Sequence, residues 1–279
     1  MSLVKRNNLL KTTLRFFGIL MVRRAFIRKK IVDRYLKKQN NLGKKWIWKN
    51  SEYSNFYYDL SEMNMYYLAE ILSFVCKVDS KDINGYFEEL SNDLELKLHI
   101  QSGINKISKK SDIEIWFGRR YAWYAVARAT KPKLIIETGV EHGVGSCILS
   151  SALLRNSREG FPGRYIGTEI KTTSGILYSS PYTAFGEIIY GDSIQTLKAI
   201  TDQVDLFIND SDHSPEYEYN EYLEIKNKIN SNSILLGDNS HSSEKLLLFS
   251  KLMQRKFLYF SEDPKDHWYP GGGIGFSFE

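Results

Sequence analysis

Cysteine is nearly absent from this chain: Cys76 and Cys147 are the two among 279 residues. That excludes a disulfide framework and fits a reducing compartment. Neither cysteine belongs to the close pair a structural zinc requires, and Cys147 reads as a small core residue rather than a nucleophile. Long apolar runs are missing too. In the N-terminal segment the longest, Phe16 to Val22, is seven residues with a glycine inside it, whereas a membrane span needs roughly 20. Arg23-Arg24 follows where a signal-peptide cleavage site would need small residues.

Acid is the third scarcity, and it is local. Residues 1–50 hold fifteen Lys and Arg against the single acid Asp33, a charge of +14. The whole chain is +5, so the remaining residues carry −9. From Leu9 to Tyr35 apolar residues interleave with Arg15, Arg23, Arg24, Arg28, Lys29 and Lys30. This predicts a cationic helix with two readings of equal weight: it lies on an anionic membrane surface through residues 1–40, or it is a solvated helix packing an apolar stripe on the main domain. The location expected is cytoplasmic, peripheral at the inner membrane face under the first reading. Residues 51–114 read as a helical cap, and 115–279 as the domain that carries the chemistry.

That domain is organised around Leu134 to Ser146, a β-branched run followed by three glycines and a helical pattern. Glycines after a buried strand let a ligand approach bare main chain, and the next helix offers its first N–H groups. Strands are expected at 164–169, 186–190, 204–209, 233–236, 257–260 and 274–278. Helices fall between most of them. The alternation predicts an α/β fold: a Rossmann-like, doubly wound, mostly parallel seven-stranded sheet with an N-terminal helical cap. Ligands of such sheets bind beyond the C-terminal strand ends. There the sequence places Glu169, Asp192, the segment Asn209-Asp210-Ser211-Asp212-His213, and Gly237-Asp238-Asn239-Ser240-His241. An acid after the second strand suits ribose hydroxyls. Asp192 reads equally as an N-cap or as an acceptor for a purine amine. Two oxygen-rich clusters on neighbouring strand ends suit a hard divalent cation.

Taken in order, Glu137-Thr-Gly-Val-Glu-His-Gly-Val-Gly145, Glu169, Gly191-Asp192-Ser193, Asp210-Ser-Asp-His-Ser214 and Gly237-Asp-Asn239 resemble class I S-adenosylmethionine-dependent methyltransferases. The catechol-type and macrocin-type O-methyltransferases, many of them sugar-modifying, are the nearest in pattern. The resemblance implies that Glu137, Thr138, Gly139, His142, Gly143 and Ser146 face the methionine and ribose of the cofactor. It gives the ribose hydroxyls to Glu169 and the adenine edge to Asp192. It further implies a divalent ion, magnesium first, on Asp210, Asp238 and Asn239, with Asp212 as a rival to Asp210. His213 becomes the general base beside Asp210. His241 is a substrate contact or second base. His267, Trp268 and Tyr269 either wall the acceptor pocket or pack the chain end.

The function expected is metal-assisted O-methylation of a saccharide or glycan hydroxyl. The competing expectations are an inactive binding module working through its basic arm, and an RNA methyltransferase. The Asn-Pro-Pro-Tyr type of base-methylating motif is absent, so nucleic acid ranks last. Acceptor identity and homo-oligomerisation are left open.

Overall fold

The structure is a computed structural model that describes residues 3–48, 58–107, 115–238 and 240–279. Two compact units divide it. The first combines residues 1–49 with 266–269, and the second holds the rest.

The first unit is dominated by helix α1 (Leu3–Ile47), 45 residues long, or about 68 Å at 1.5 Å per residue. It runs beyond the expected Leu9–Tyr35 at both ends. Phe16, Phe17, Ile19, Met21, Val22 and Phe26 are all exposed. Lys29 pairs with Asp33 one turn on, at 2.6 Å. At its C-terminal end Trp46 meets Trp268 (ring centroids 5.3 Å apart) and His267 (6.5 Å). No helix among the described residues is long and apolar enough to cross a membrane.

The second unit opens with α2 (Glu62–Cys76), α3 (Ser80–Ser91) and α4 (Leu94–Ile107). Ser61 caps α2 by accepting from the Asn64 N–H, and Asp79 caps α3 by accepting from Lys81. These are the short oxygen side chains that satisfy the orphan donors of a first turn. Then follow α5 (Arg120–Thr130), β1 (Leu134–Thr138), α6 (Val144–Arg158), β2 (Arg164–Glu169), β3 (Gly186–Tyr190), α7 (Ser193–Ala199) and β4 (Leu206–Asn209). The chain ends with α8 (Pro215–Ile225), β5 (Ile234–Asp238), α9 (Lys245–Leu252), β6 (Lys256–Ser261) and β7 (Gly273–Phe278).

The strands form one sheet in the order β3-β2-β1-β4-β5-β7-β6. β3, β2, β1, β4 and β5 are parallel. β7 runs antiparallel between β5 and β6. From β1 the chain steps outward to β2 and β3, then returns to start β4 on the other side. Right-handed crossovers moving in opposite directions must lie on opposite faces. Hence α6 covers one face, while α7 and α8 cover the other. A core of Leu134, Ile136, Phe207, Leu235, Tyr222 and Phe249 fills the second layer. The reversal between β1 and β4 opens a crevice at their C-terminal ends, which positions the site.

Candidate active site

A cavity of about 530 Å³ lies there, lined by Gly139, Glu141, Thr168, Glu169, Asp192, Asp210 and His213, with Arg119 and Arg120 from the start of α5. Its volume falls within the usual range of small-molecule sites. Gly139 is required for sterics: at φ +83°, a Cβ there would sit 2.0 Å from the Asp210 carbonyl oxygen. The loops after β1 and β4 therefore pass in contact, which keeps Asp210 against the glycine loop.

On the β1–β3 side the acids are held by main chain. Glu169 accepts from the backbone N–H of Glu141 (2.8 Å) and of Lys171 (2.9 Å), one on each oxygen. Each carboxylate oxygen keeps a second acceptor position for a ligand. Beside it the buried Thr168 hydroxyl has no hydrogen-bond partner, so the wall holds a polar atom that a ligand could complete. Asp192 caps α7 through the Gln195 N–H (2.9 Å), and the Tyr217 hydroxyl donates to its other oxygen at 3.1 Å. It lines the cavity while capping, so the two readings of this residue coexist.

The glycine-loop residues divide. Glu137 is buried beneath the cavity rather than in its wall. It accepts from the Tyr165 and Ser146 hydroxyls. Burial pushes its carboxyl up to about 7, against the pull of those donors. Thr138 donates to Glu221 at 3.1 Å, on α8. Gly143 adopts φ +96° at the start of α6. His142 is partly exposed near Glu141. Cys147 is buried, and burial pushes its thiol far above the ordinary range.

On the β4–β5 side the acids are held by one another and by arginine. Asp210, His213 and Asp238 each place one ligand atom within 4.8 Å of the other two. Burial, then the neighbouring Asp238, pushes the Asp210 carboxyl well above the usual carboxylate range. Burial would raise Asp238 as well, but Arg119 and the Asp210 hydrogen bond hold it below its ordinary value. Arg119 Nη2 donates to Asp238 Oδ2 at 2.6 Å, and its Nε faces the other oxygen, Oδ1. Nη1 reaches Glu262 at 3.5 Å. Glu262 is itself fixed by the Tyr58 hydroxyl (2.6 Å) and the Gly272 N–H (3.0 Å). Asp212, exposed at the cavity's lining, accepts from the Ser214 N–H, which holds it below its usual range, and it is not in the cluster with Asp238. Of the two rival acids, Asp210 is the one beside Asp238. Asn239 lies outside the described residues.

Two carboxylates and an imidazole are a plausible donor set for a divalent cation. Yet Asp238 is already ion-paired with a guanidinium, by a hydrogen bond at Oδ2 and a charge contact at Oδ1, so in this arrangement the set does not fit a metal without Arg119 withdrawing.

His241 lies in a different cleft, with Ser240, Glu244, Phe257 and Tyr259. Trp268 and His267 pack with Trp46, and the Tyr269 N–H donates to His267 Nδ1 at 3.0 Å. Sequence reasoning passed over Arg119 and Glu221. Glu221 is fully buried and takes hydrogen bonds from Thr138, Ser193, Asn209 and Ser211, tying the ends of β1, β3 and β4 together. Burial pushes its carboxyl up to about 7. The overlooked signal for Arg119 is its place: two arginines open α5, where the helix dipole disfavours cations.

The family model described as a methyltransferase domain matches residues 136–240, the stretch from β1 to the end of β5. The sheet order, with its antiparallel seventh strand, is a Rossmann-like, doubly wound α/β architecture. A search of curated proteins finds no match. Among solved structures, an O-methyltransferase from Streptomyces achromogenes involved in tomaymycin synthesis, in complex with SAM, is 16% identical. Its TM-score is 0.49 over 67% of this chain and 90% of that one. A Geobacter sulfurreducens methyltransferase is 16% identical, with a TM-score of 0.47 over 72% and 97%. A Bacillus cereus O-methyltransferase in complex with SAH is 13% identical, with a TM-score of 0.46 over 76% and 97%. Residues 136–240 are thus similar to a methyltransferase domain.

Proposed function

We propose that the chain is an S-adenosylmethionine-dependent O-methyltransferase acting on a hydroxyl of a saccharide or glycan-type metabolite. The observation that carries the transfer reading is one cavity holding a main-chain-fixed acid after β2, Glu169, and an acid–imidazole pair after β4, Asp210 with His213. The saccharide class rests on the sequence resemblance. When bound, S-adenosylmethionine supplies a methyl group on a sulfonium. Glu169 takes the ribose hydroxyls on its two remaining acceptor positions, and Thr168 adds a hydroxyl to the same wall. His213 accepts the acceptor's proton, and an imidazole is the side chain that changes charge near neutral pH. His213 would then hold that proton as an imidazolium, leaving the acceptor oxygen free to take the methyl group the sulfonium would supply. The cavity supplies alignment, the main source of rate when little bond-making falls to the protein. No step is assigned to a metal ion.

Calorimetric titration of S-adenosylmethionine into the full chain is expected to give micromolar binding or tighter. A flat titration with folded protein would defeat the reading. For the N-terminal helix the reading is attachment to an anionic membrane surface, supported by its exposed apolar side chains and its +14 charge over residues 1–50. Vesicles rich in phosphatidylserine should pellet the full chain and not a chain lacking residues 1–40. Equal pelleting would rule attachment out.

A further inference from the structure

A divalent ion is what the strand-end acids suggest, but an arginine stands where its charge would act. We propose that Arg119 is the resident cation of the β4–β5 acid cluster, so that this chain carries out its reaction with a guanidinium in place of a divalent metal. The inference rests on the methyl-transfer reading for its chemistry, though not for its test.

Three observations carry it. The guanidinium donates one hydrogen bond to Asp238, from Nη2 to Oδ2 at 2.6 Å, and its Nε makes an ion-pair contact with Oδ1 of the same completely buried carboxylate. It is also fixed from behind, because Glu262, anchored by Tyr58 and Gly272, holds Nη1. Arg119 therefore sits between two anchored carboxylates rather than at the tip of a mobile side chain. And it lines the same cavity as Asp210 and His213, where the acceptor oxygen would lose its proton. A fixed positive charge at that place stabilises negative charge developing on the oxygen, the task otherwise given to a metal. Arginine suits it because its charge is permanent and its donors are rigidly arrayed.

The arrangement has a consequence for metal binding that does not depend on turnover. While Arg119 is in place, a cation approaching Asp210, His213 and Asp238 meets an occupied Asp238 and a like charge. Removing that charge should convert the cluster into a metal site. The test is titration of Mn²⁺ alone into the full chain, read by electron paramagnetic resonance of the free ion. Wild type is expected to bind no Mn²⁺ at this cluster below millimolar concentration. Arg119→Met should bind one Mn²⁺ at least tenfold more tightly, and adding Asp238→Asn to it should remove the gain. Arg119→Lys keeps the charge and should stay like wild type, and it serves if the methionine variant fails to fold. Submillimolar Mn²⁺ binding by wild type that is lost in Asp238→Asn would overturn the proposal. So would an Arg119→Met variant that folds and binds no more tightly than wild type. S-adenosylmethionine titration of the same samples separates this failure from that of the transfer reading: absent cofactor binding sinks the latter and leaves the Mn²⁺ result standing.

Discussion

The two halves of the strand-end edge solve one problem in different ways. Glu169 and Asp192, after β2 and β3, are held chiefly by nearby main chain, through the glycine loop, a residue two on and the start of α7, with the Tyr217 hydroxyl added at Asp192. Asp210 and Asp238, after β4 and β5, are satisfied by each other and by Arg119, more than a hundred residues away along the chain from Asp238. Main-chain donors hold an acid rigidly while leaving part of each oxygen open to a neutral hydroxyl, as cofactor binding needs. A carboxyl pair beside a guanidinium puts opposite charges next to the imidazole, as proton transfer needs. The difference teaches that acids at equivalent strand ends are read by what holds them, not by their position.

The comparison breaks most sharply at His213. His213→Gln removes the proton acceptor from the β4–β5 half and leaves the β1–β3 half untouched. Turnover should fall about 10²- to 10⁴-fold, with S-adenosylmethionine affinity within about twofold of wild type. A variant with nearly full turnover would show that the base lies elsewhere. The next effect belongs to the other half. Glu169→Ala should weaken S-adenosylmethionine roughly 30- to 100-fold by calorimetry, from the loss of about 2–3 kcal/mol of charge-assisted hydrogen bonding. An unchanged affinity would mean the ribose binds elsewhere.

A third test concerns the buried layer beneath both halves. Glu137 titrates at about 7 in the folded chain against 4.5 for the free side chain, because burial disfavours its charge. The folded state therefore holds a proton that the unfolded state has lost between those values. Stability attributable to Glu137 falls as pH rises through that window and stays low above it. Glu137→Gln keeps an acceptor for the Tyr165 and Ser146 hydroxyls without the charge. Its melting temperature should match wild type near pH 4.5 and exceed it by about 5 °C at pH 8. A difference independent of pH would show that Glu137 ionises without hindrance.

The sequence made the β1–β3 half legible and the other half only partly so, for a physical reason. Strand, glycine loop and acid follow one another locally, so the apolar run at 134–138 and the acid at 169 announce their roles. The mostly parallel, doubly wound character of the sheet follows from the alternation of strands and helices. The antiparallel β7 between β5 and β6 needs the final hairpin's geometry, which its residues do not encode by spacing. Glu221 ends the polar run Pro215-Glu-Tyr-Glu-Tyr-Asn-Glu221, where a charge is ordinarily a solvated one. Yet Glu218, Glu221, Tyr222 and Ile225 share a face at helical spacing, and all four are buried. Following that face to its apolar members would have flagged Glu221 as a buried carboxylate in need of partners. Arg119 pairs across the whole domain with Asp238 and Glu262, and no local pattern encodes such a contact. Only its odd place at the start of a helix hinted at it.

The smallest expected effect is also the one that separates two roles carried by one side chain. Asp192 caps α7 and lines the cavity, so losing it touches both stability and cofactor. Asn is as good an N-cap as Asp, whereas Ala is not. Asp192→Ala should therefore cost about 1 kcal/mol, a drop of about 2 °C in melting temperature for a chain of this size. Asp192→Asn should leave the melting temperature within about 1 °C. If the carboxylate also accepts from an adenine amine, the amide oxygen of Asn still accepts, but without charge. S-adenosylmethionine affinity then falls only about threefold, the difference between a charge-assisted and a neutral hydrogen bond at a partly exposed site. Unchanged affinity in both variants would assign Asp192 to capping alone. Equal tenfold losses in both would show that the charge, not the acceptor geometry, holds the adenine edge.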